Sequence, residues 1–394
     1  MAHRRERDVL ELLKKRIRLW PVLGVVGVRQ CGKSLLLREL LAPCVSGDYH
    51  TMDSKKDRER ATRAPESFSA PRIKGEALFI DEIQKVPDLF DAIKLHVDER
   101  RRPGMYVISG STEFSRYTGV RESLTGRIGL IQLYPLNCSE LHEKKMGKYF
   151  LTFRKSESQI SLTQFDRTLE RGGMPGICFL RTDSEFSSAV SVWIETTCQR
   201  DISRAGSGKF DGELAQDILS AVARQEEPTA AAIAIVVGRD RRVVQRYLDA
   251  FTRIFVLREL RPHQAGVGKS EYILCDSGIA HSLGANRDTQ LRTFVAVQAL
   301  STLEYHGFGR PRLEYYRNEK SSRIPVVISF PKARNSPPPL AIRPFDGEAP
   351  TRRDWASLIA FQERARSEKP RLMMLTHTNE SYREGGIDVC SLRG

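Results

Sequence analysis

Short apolar runs that end in small or charged residues alternate with longer segments that are apolar on one side, and this alternation predicts the elements of the first 140 residues. Val22, Leu23, Val25 and Val26 form a run rich in β-branched residues, the pattern of a parallel strand buried on both faces. Good helix formers fill Ser34 to Leu41, with neither Gly nor Pro before Pro43. Tyr49 to Asp53 reads as a second strand, and residues 55–74, charged and Pro-containing, as a mixture of helix and loop. Ala77-Leu-Phe-Ile80 is a third apolar run, ending in Asp81-Glu82. Asp88 to Glu99 follows Pro87 and places Leu89, Phe90, Ile93 and Val97 on one side of a helix. Met105 to Ser111 is a further buried strand, and Ile131-Gln132-Leu133 closes the series. Ahead of all of these, basic residues alternate with Leu10, Leu12 and Leu13 at helical spacing over residues 1–20. That pattern is a leading helix; it lacks the uninterrupted apolar stretch of a secretion signal.

The second half changes period. Asp211 to Arg224 is helical, and Pro228-Thr229 introduces a second helix from Ala230 to Val237. Gly238 turns the chain into a third, Arg239 to Phe251, with Phe255 to Leu260 as a following strand. Helix, turn, helix and strand at these spacings suit a winged-helix unit. Val243, Val244, Tyr247, Leu248 and Phe251 would pack one side of the third helix, which leaves Arg239, Arg241, Arg242 and Arg246 as candidates for phosphate contact with duplex DNA. A solvated basic face is the other reading of the same residues.

Composition narrows the class. The chain has 394 residues, 40% of them hydrophobic, which is room for two or three domains with a proper core. No apolar run approaches the ~18 residues of a membrane span. Seven cysteines occur without a Cys-x-x-Cys pair, which argues against a zinc site or a disulfide frame and suits a reducing cytoplasm. A net charge of +14 favours an acidic partner, nucleic acid first.

The chemistry begins at Gly27-Val-Arg-Gln-Cys-Gly-Lys-Ser34, which fits the phosphate-loop pattern G-x-x-x-x-G-K-[ST] between a strand and a helix. Such a loop turns its amides toward the phosphates of a nucleoside triphosphate, so the nucleotide-binding residues are Gly27, Val28, Arg29, Gln30, Cys31, Gly32, Lys33, Ser34 and Leu35. Lys33 would reach the β- and γ-phosphates and the Ser34 hydroxyl would take a position on Mg²⁺. Asp81 at its strand end would hold the same Mg²⁺, and Glu82 would orient and deprotonate the attacking water. Ser111, or alternatively Ser109, would touch the γ-phosphate or the water. Arg127 is a candidate arginine finger, able to neutralise charge on the transferred phosphoryl group, with a structural arginine as the competing reading.

These segments resemble prokaryotic AAA-type ATPases in which the ATPase domain precedes a C-terminal domain of unknown function. The resemblance rests on the phosphate loop, Phe79-Ile-Asp-Glu-Ile-Gln84, Ile108-Ser-Gly-Ser111, Leu124-Thr-Gly-Arg127 and Leu133-Tyr-Pro-Leu136, in that order and spacing. Gly172-Gly-Met-Pro175 and Tyr272-Ile-Leu-Cys-Asp-Ser-Gly278 resemble two further elements of that family. The resemblance implies an α/β fold: an ASCE-type P-loop NTPase with a parallel sheet of order 5-1-4-3-2, followed by a winged-helix domain and a degenerate restriction-endonuclease-like α/β domain. It also implies ATP as the nucleotide. The expected boundaries are 1–145 for the ATPase domain, 146–210 for a helical connector, 211–285 for the winged helix and 286–394 for the nuclease-like part. In that last part, Arg323-Ile-Pro325 stands where a metal-binding Glu-x-Asp is expected, and Ala341-Ile-Arg343 where Glu-x-Lys is. With Arg310, Arg312, Arg317 and Arg334 it makes a basic region without the carboxylates of a nuclease. Two function classes remain: an ATP-driven machine, self-associating and acting on DNA or a protein partner, or an ATP-gated binding switch with negligible turnover.

Overall fold

The apolar runs lie side by side in a computed structural model that describes residues 5–71, 76–114, 124–144, 159–205, 208–309, 311–319, 322–331 and 336–393. Arg310, Arg334 and residues 145–158 of the expected connector lie outside the described residues. Contacts divide the chain into two compact units, residues 4–134 with 253–255 and residues 135–252 with 256–394. No helix among the described residues is long and apolar enough to cross a membrane.

The first unit runs α1 (Leu10–Arg16), β1 (Val22–Val26), α2 (Lys33–Leu35), which continues as a π-helical segment Leu36–Leu41, then β2 (Gly47–Thr51), α3 (Lys55–Arg63), α4 (Pro65–Ser69), β3 (Ala77–Asp81), α5 (Asp88–Arg100), β4 (Tyr106–Gly110) and β5 (Ile128–Gln132). Its five strands are all parallel in the order β2-β3-β4-β1-β5, the expected 5-1-4-3-2 sheet of a P-loop NTPase. The three inner strands are buried along their whole length. That is why continuous apolar runs, not alternating ones, encode them. Each fully buried Val, Leu or Ile there contributes about 1.5–3 kcal/mol. The two outer strands differ from expectation: β2 starts at Gly47 and β5 at Ile128, both ahead of the apolar run. Edge strands are only partly covered, so polar and small residues carry part of their pairing.

The second unit begins with helices α6 (Cys138–His142), α7 (Leu162–Arg171) and α8 (Asp183–Thr196), the last passing through a π-helical segment Thr197–Asp201 into α9 (Ile202–Ala205). Three helices follow, α10 (Gly212–Arg224), α11 (Ala230–Val237) and α12 (Arg241–Arg253), and then a hairpin of β6 (Leu257–Pro262) and β7 (Glu271–Leu274). Thr229 makes an antiparallel bridge to Glu271, adding a short third rung to the hairpin. The third helix starts two residues later than expected, because the Asp240 carboxylate caps it by accepting the Arg242 N–H at 2.7 Å. Arg239 therefore precedes α12 and is not part of it.

The remaining elements are α13 (Ser277–Ser282), α14 (Arg287–Tyr305), β8 (Arg312–Arg317), β9 (Arg323–Ser329), β10 (Leu340–Pro344), α15 (Arg352–Arg364), β11 (Arg371–Thr376), β12 (Tyr382–Glu384) and β13 (Ile387–Ser391). They build an eight-stranded mixed sheet, β12-β13-β11-β10-β9-β8-β6-β7. The hairpin joins it through parallel pairing of Arg261 and Pro262 with Glu314 and Tyr315. Tyr316, Val327, Leu358, Phe361, Leu372 and Met374 share the core beneath α15. The two C-terminal sequence elements noted above meet at Asp276. This carboxylate caps α13 through the N–H groups of Gly278 at 2.9 Å and Ile279 at 3.1 Å, and accepts the Gly173 N–H at 2.7 Å.

Candidate functional site

The phosphate loop leaves the buried end of β1 and closes on itself. Lys33, 4% exposed, donates from Nζ to the carbonyls of Gly27 and Val28, both at 3.0 Å. The loop turns twice through left-handed backbone, at Gln30 (φ 64°) and Gly32 (φ 98°), and the second position is where the pattern's glycine is required. Arg7, ahead of α1, anchors this loop in a way the sequence pattern did not reveal. Its buried guanidinium donates from Nη1 to the Cys31 carbonyl at 2.9 Å and from Nη2 to the Tyr134 carbonyl at 2.8 Å. Arg7 thus ties the loop to Tyr134, two residues past β5, and charge-assisted bonds of this kind are about twice as strong as neutral ones.

Asp81 ends β3 at 1% exposure. Its Oδ2 accepts the Tyr49 hydroxyl at 2.9 Å, and its Oδ1 accepts the hydroxyl of Ser109. The parallel register sets both bonds, since β2 and β4 flank β3. Burial, then the adjacent Asp81 charge, pushes the Tyr49 phenol well above its usual range, while a hydrogen bond with Ser34 acts the other way. The Tyr49 hydroxyl is thus near both expected Mg²⁺ ligands, bonded to Asp81 and close to Ser34.

Glu82 turns sharply away, with φ 56° and ψ 42°, a conformation uncommon for a residue with a side chain. Ser109 supports that turn as well, since its Oγ accepts the Glu82 N–H at 3.3 Å. The Glu82 carboxylate accepts the Ser111 hydroxyl at 3.3 Å and the amide of Gln84, whose Nε2 also reaches Ser111 Oγ at 3.2 Å. This triangle needs Gly110: a Cβ there would stand 2.5 Å from Gln84 Oε1 and 2.5 Å from the Phe114 ring. Glu82 and Ser111 are thus brought together, and Gln84 is the member that sequence reasoning left without a role. The signal was present in Phe79-Ile-Asp-Glu-Ile-Gln84, but only the fold brings Gln84 beside Ser111.

Arg127 has a partner within its own unit. Its Nε and Nη2 form a two-pronged pair with the Asp98 carboxylate of α5, at 2.5 and 2.9 Å, and Nη1 reaches the Thr125 carbonyl at 3.2 Å. Arg127 holds the Asp98 carboxyl below its ordinary range. In the second unit, Arg239, Arg241, Arg242 and Arg246 are all exposed. Arg246 stacks over Phe210 with its guanidinium carbon 5.1 Å from the ring centroid, and donates to the Lys209 carbonyl at 3.2 Å. The loop between β6 and β7 is fastened to β8: the Tyr315 hydroxyl donates to the Lys269 carbonyl at 2.8 Å and the Val267 N–H to the Arg317 carbonyl at 2.9 Å.

Comparison with protein families agrees with this geometry. Residues 20–142 match the family model of an AAA domain, and residues 162–290 match that of a domain of unknown function, DUF8612. Uncharacterized proteins of Mycobacterium bovis and Mycobacterium tuberculosis are each 26% identical over 284 residues, 70% of this chain. The match spans 59% of the length of those relatives. Among solved structures, a Walker-type ATPase of Pyrococcus abyssi is similar at 16% identity with a TM-score of 0.45, covering 72% of this chain and 96% of that one. A single-residue variant of RuvB from Thermotoga maritima follows at 15% identity and a TM-score of 0.31, over 64% of this chain and 93% of that one.

Proposed function

We propose that this chain, whose residues 20–142 match an AAA domain, is a Mg²⁺-dependent ATPase that couples nucleotide state to a DNA-binding C-terminal half. The observation that carries the reading is the paired carboxylates at the tip of β3. Asp81 is held by hydroxyls beside Ser34, and Glu82 is aimed by its left-handed turn onto Ser111 and Gln84. The donor set fits Mg·ATP. Backbone amides and the Lys33 ammonium suit phosphates, and the oxygens of Ser34 and Asp81 suit a hard cation. Bound there, Mg²⁺ would neutralise charge on the β- and γ-phosphates. On this reading Lys33 exchanges its loop carbonyls for phosphate oxygens, Glu82 takes a proton from water, and Ser111 and Gln84 hold that carboxylate in place.

Arg127 can serve as a finger only if it leaves Asp98, so a neighbouring subunit that competes for the guanidinium is part of the proposal. DNA binding rests on the three helices α10 to α12 with their hairpin and the Thr229 rung, an order that supports the winged-helix reading. Since the hairpin loop is fastened to β8, the contacts fall on Arg239, Arg241 and Arg242, with Arg246 stacked beside them. Phosphate-contacting arginines of this kind give salt-sensitive binding with little sequence preference. In the C-terminal part, Arg323 and Arg343 take the places of metal-binding carboxylate and lysine, and the reading assigns it no cleavage.

The second reading, a nucleotide-gated switch with negligible turnover, draws on the Glu82 carboxylate being engaged by both Gln84 and Ser111. Phosphate release by the purified chain, with and without duplex DNA, separates the two. Turnover that is absent from Lys33→Ala supports the ATPase; tight ATP binding with no release under either condition supports the switch.

A further inference from the structure

Arg323, Pro325 and Arg343, the residues at the expected metal site, line one cavity of about 460 Å³. Strand pairing explains why: β9 runs antiparallel to β10 with Val326 opposite Ile342, which brings Pro325 and Arg343 together. The N-terminal two turns of two long helices complete the wall, contributing Asp288 and Arg292 from α14 and Arg353 from α15. Four arginines and two acidic residues, Asp288 and Glu226, thus line it.

The arginines are short of partners. Arg292 is 4% exposed; its Nη1 donates to Glu271 Oε2 at 3.1 Å and to the Glu226 carbonyl at 3.0 Å, while its Nε and Nη2 have no hydrogen-bond partner. Arg323 donates to the same Glu271 oxygen at 2.5 Å and lies 3.6 Å from the Glu227 carboxylate, but its Nε and Nη1 have no hydrogen-bond partner. Arg343 spends Nη1 on the Arg323 carbonyl at 3.1 Å and on Ser357 Oγ at 2.8 Å. Helix N-termini add further partial positive charge.

We infer that this cavity binds the phosphate monoester of a free mononucleotide. Guanidinium groups and helix N-termini recognise a doubly charged phosphate. The two carboxylates accept the hydroxyl and amino donors that a nucleoside brings, and Pro325, Pro344 and Ala356 offer apolar wall. The volume lies in the range of small-molecule sites. Burial pulls Arg292 down to about 10, since the charged form is disfavoured away from water, and a bound anion would oppose that effect.

The test is calorimetric titration of the full chain carrying Lys33→Ala, so that the phosphate loop does not contribute, with AMP, adenosine and a 5′-phosphorylated oligonucleotide at low salt. Saturable one-to-one binding of AMP is expected, with none for adenosine. Arg353→Glu, at an exposed position, should weaken AMP by about tenfold or more, and Arg343→Gln should act in the same direction. Arg352→Glu, one residue away and outside the cavity lining, should leave binding unchanged. Absence of AMP binding, or equal affinity in the Arg353→Glu and Arg343→Gln chains, would overturn the inference. Binding of the phosphorylated oligonucleotide without AMP would overturn the assignment to a free nucleotide.

Discussion

Asp81 and Asp276 are both buried carboxylates at or just beyond the end of a strand, 1% and 3% exposed, yet their surroundings differ in kind. Asp81 is held by two hydroxyls, from Tyr49 and Ser109. Asp276 is held by three backbone N–H groups, from Gly173, Gly278 and Ile279. A hydroxyl rotates and can turn to another acceptor when a cation or water arrives. A backbone N–H is fixed by the chain and becomes an orphan if its acceptor leaves. The first arrangement leaves a carboxylate available for chemistry; the second commits it to structure. Glu271, clasped by Arg292 and Arg323, belongs with Asp276.

The contrast is broken most directly at Glu82. Glu82→Gln keeps the shape and a hydrogen-bonding partner for Gln84 and Ser111, but removes the group proposed to take the proton. ATP hydrolysis should fall by about 10²–10⁴-fold while ATP affinity and the unfolding midpoint stay near those of the parent chain. Hydrolysis at the parent rate would place the base elsewhere. Glu271→Ala should behave in the opposite manner. It leaves the buried Arg292 without its carboxylate and the half-buried Arg323 with only Glu227 at 3.6 Å, so denaturant unfolding should show a loss of about 3–5 kcal/mol, with ATP affinity in the surviving folded protein unchanged. Asp276→Ala removes a helix cap and strands the Gly173 N–H, for a loss of about 2–4 kcal/mol by the same measurement. A stability loss at Glu82 as large as that at Asp276 would erase the distinction between the two kinds of site.

How much of this was legible depends on what each residue's role requires. The inner strands could be read because a strand buried on both faces must be apolar throughout, and α11 could be read to the residue because Thr229 caps it and Gly238 ends it at φ 62°. The carboxylates proposed for catalysis could be read because they sit next to their strand in the chain. Tyr49, Ser109 and Gln84 could not be assigned in the same way. Their roles come from the register between strands, and nothing local to Tyr49 says that β2 will place it against Asp81, 32 residues later. The same holds for Arg7, which reaches Tyr134 across 127 residues, and for Arg323 with Glu271 across 52. The arginines at the expected nuclease positions were visible as replacements, but not as the lining of a shared cavity, because that depends on β9 and β10 pairing beneath α15.

The mildest test of the contrast lies at Tyr49. Tyr49→Phe removes one hydroxyl and keeps the ring, so the half-buried side chain at the edge of the sheet still packs. The lost bond to the charged Asp81 is worth about 1.5–3 kcal/mol, roughly ten- to a hundredfold in an equilibrium constant. If Asp81 holds Mg²⁺ with Tyr49 keeping the carboxylate in position, that factor should appear in the Mg²⁺ concentration for half-maximal hydrolysis, with the rate at saturating Mg²⁺ close to the parent's. The phenol is held above its ordinary range by burial and by Asp81, so it remains protonated, and available as a donor, well into alkaline solution. The shift in Mg²⁺ requirement should therefore be equal at neutral and mildly alkaline pH. If the variant instead loses stability with no change in Mg²⁺ requirement, Tyr49 and Asp81 form a structural pair. Asp81 would then belong with Asp276 and Glu271, despite its position at the tip of β3.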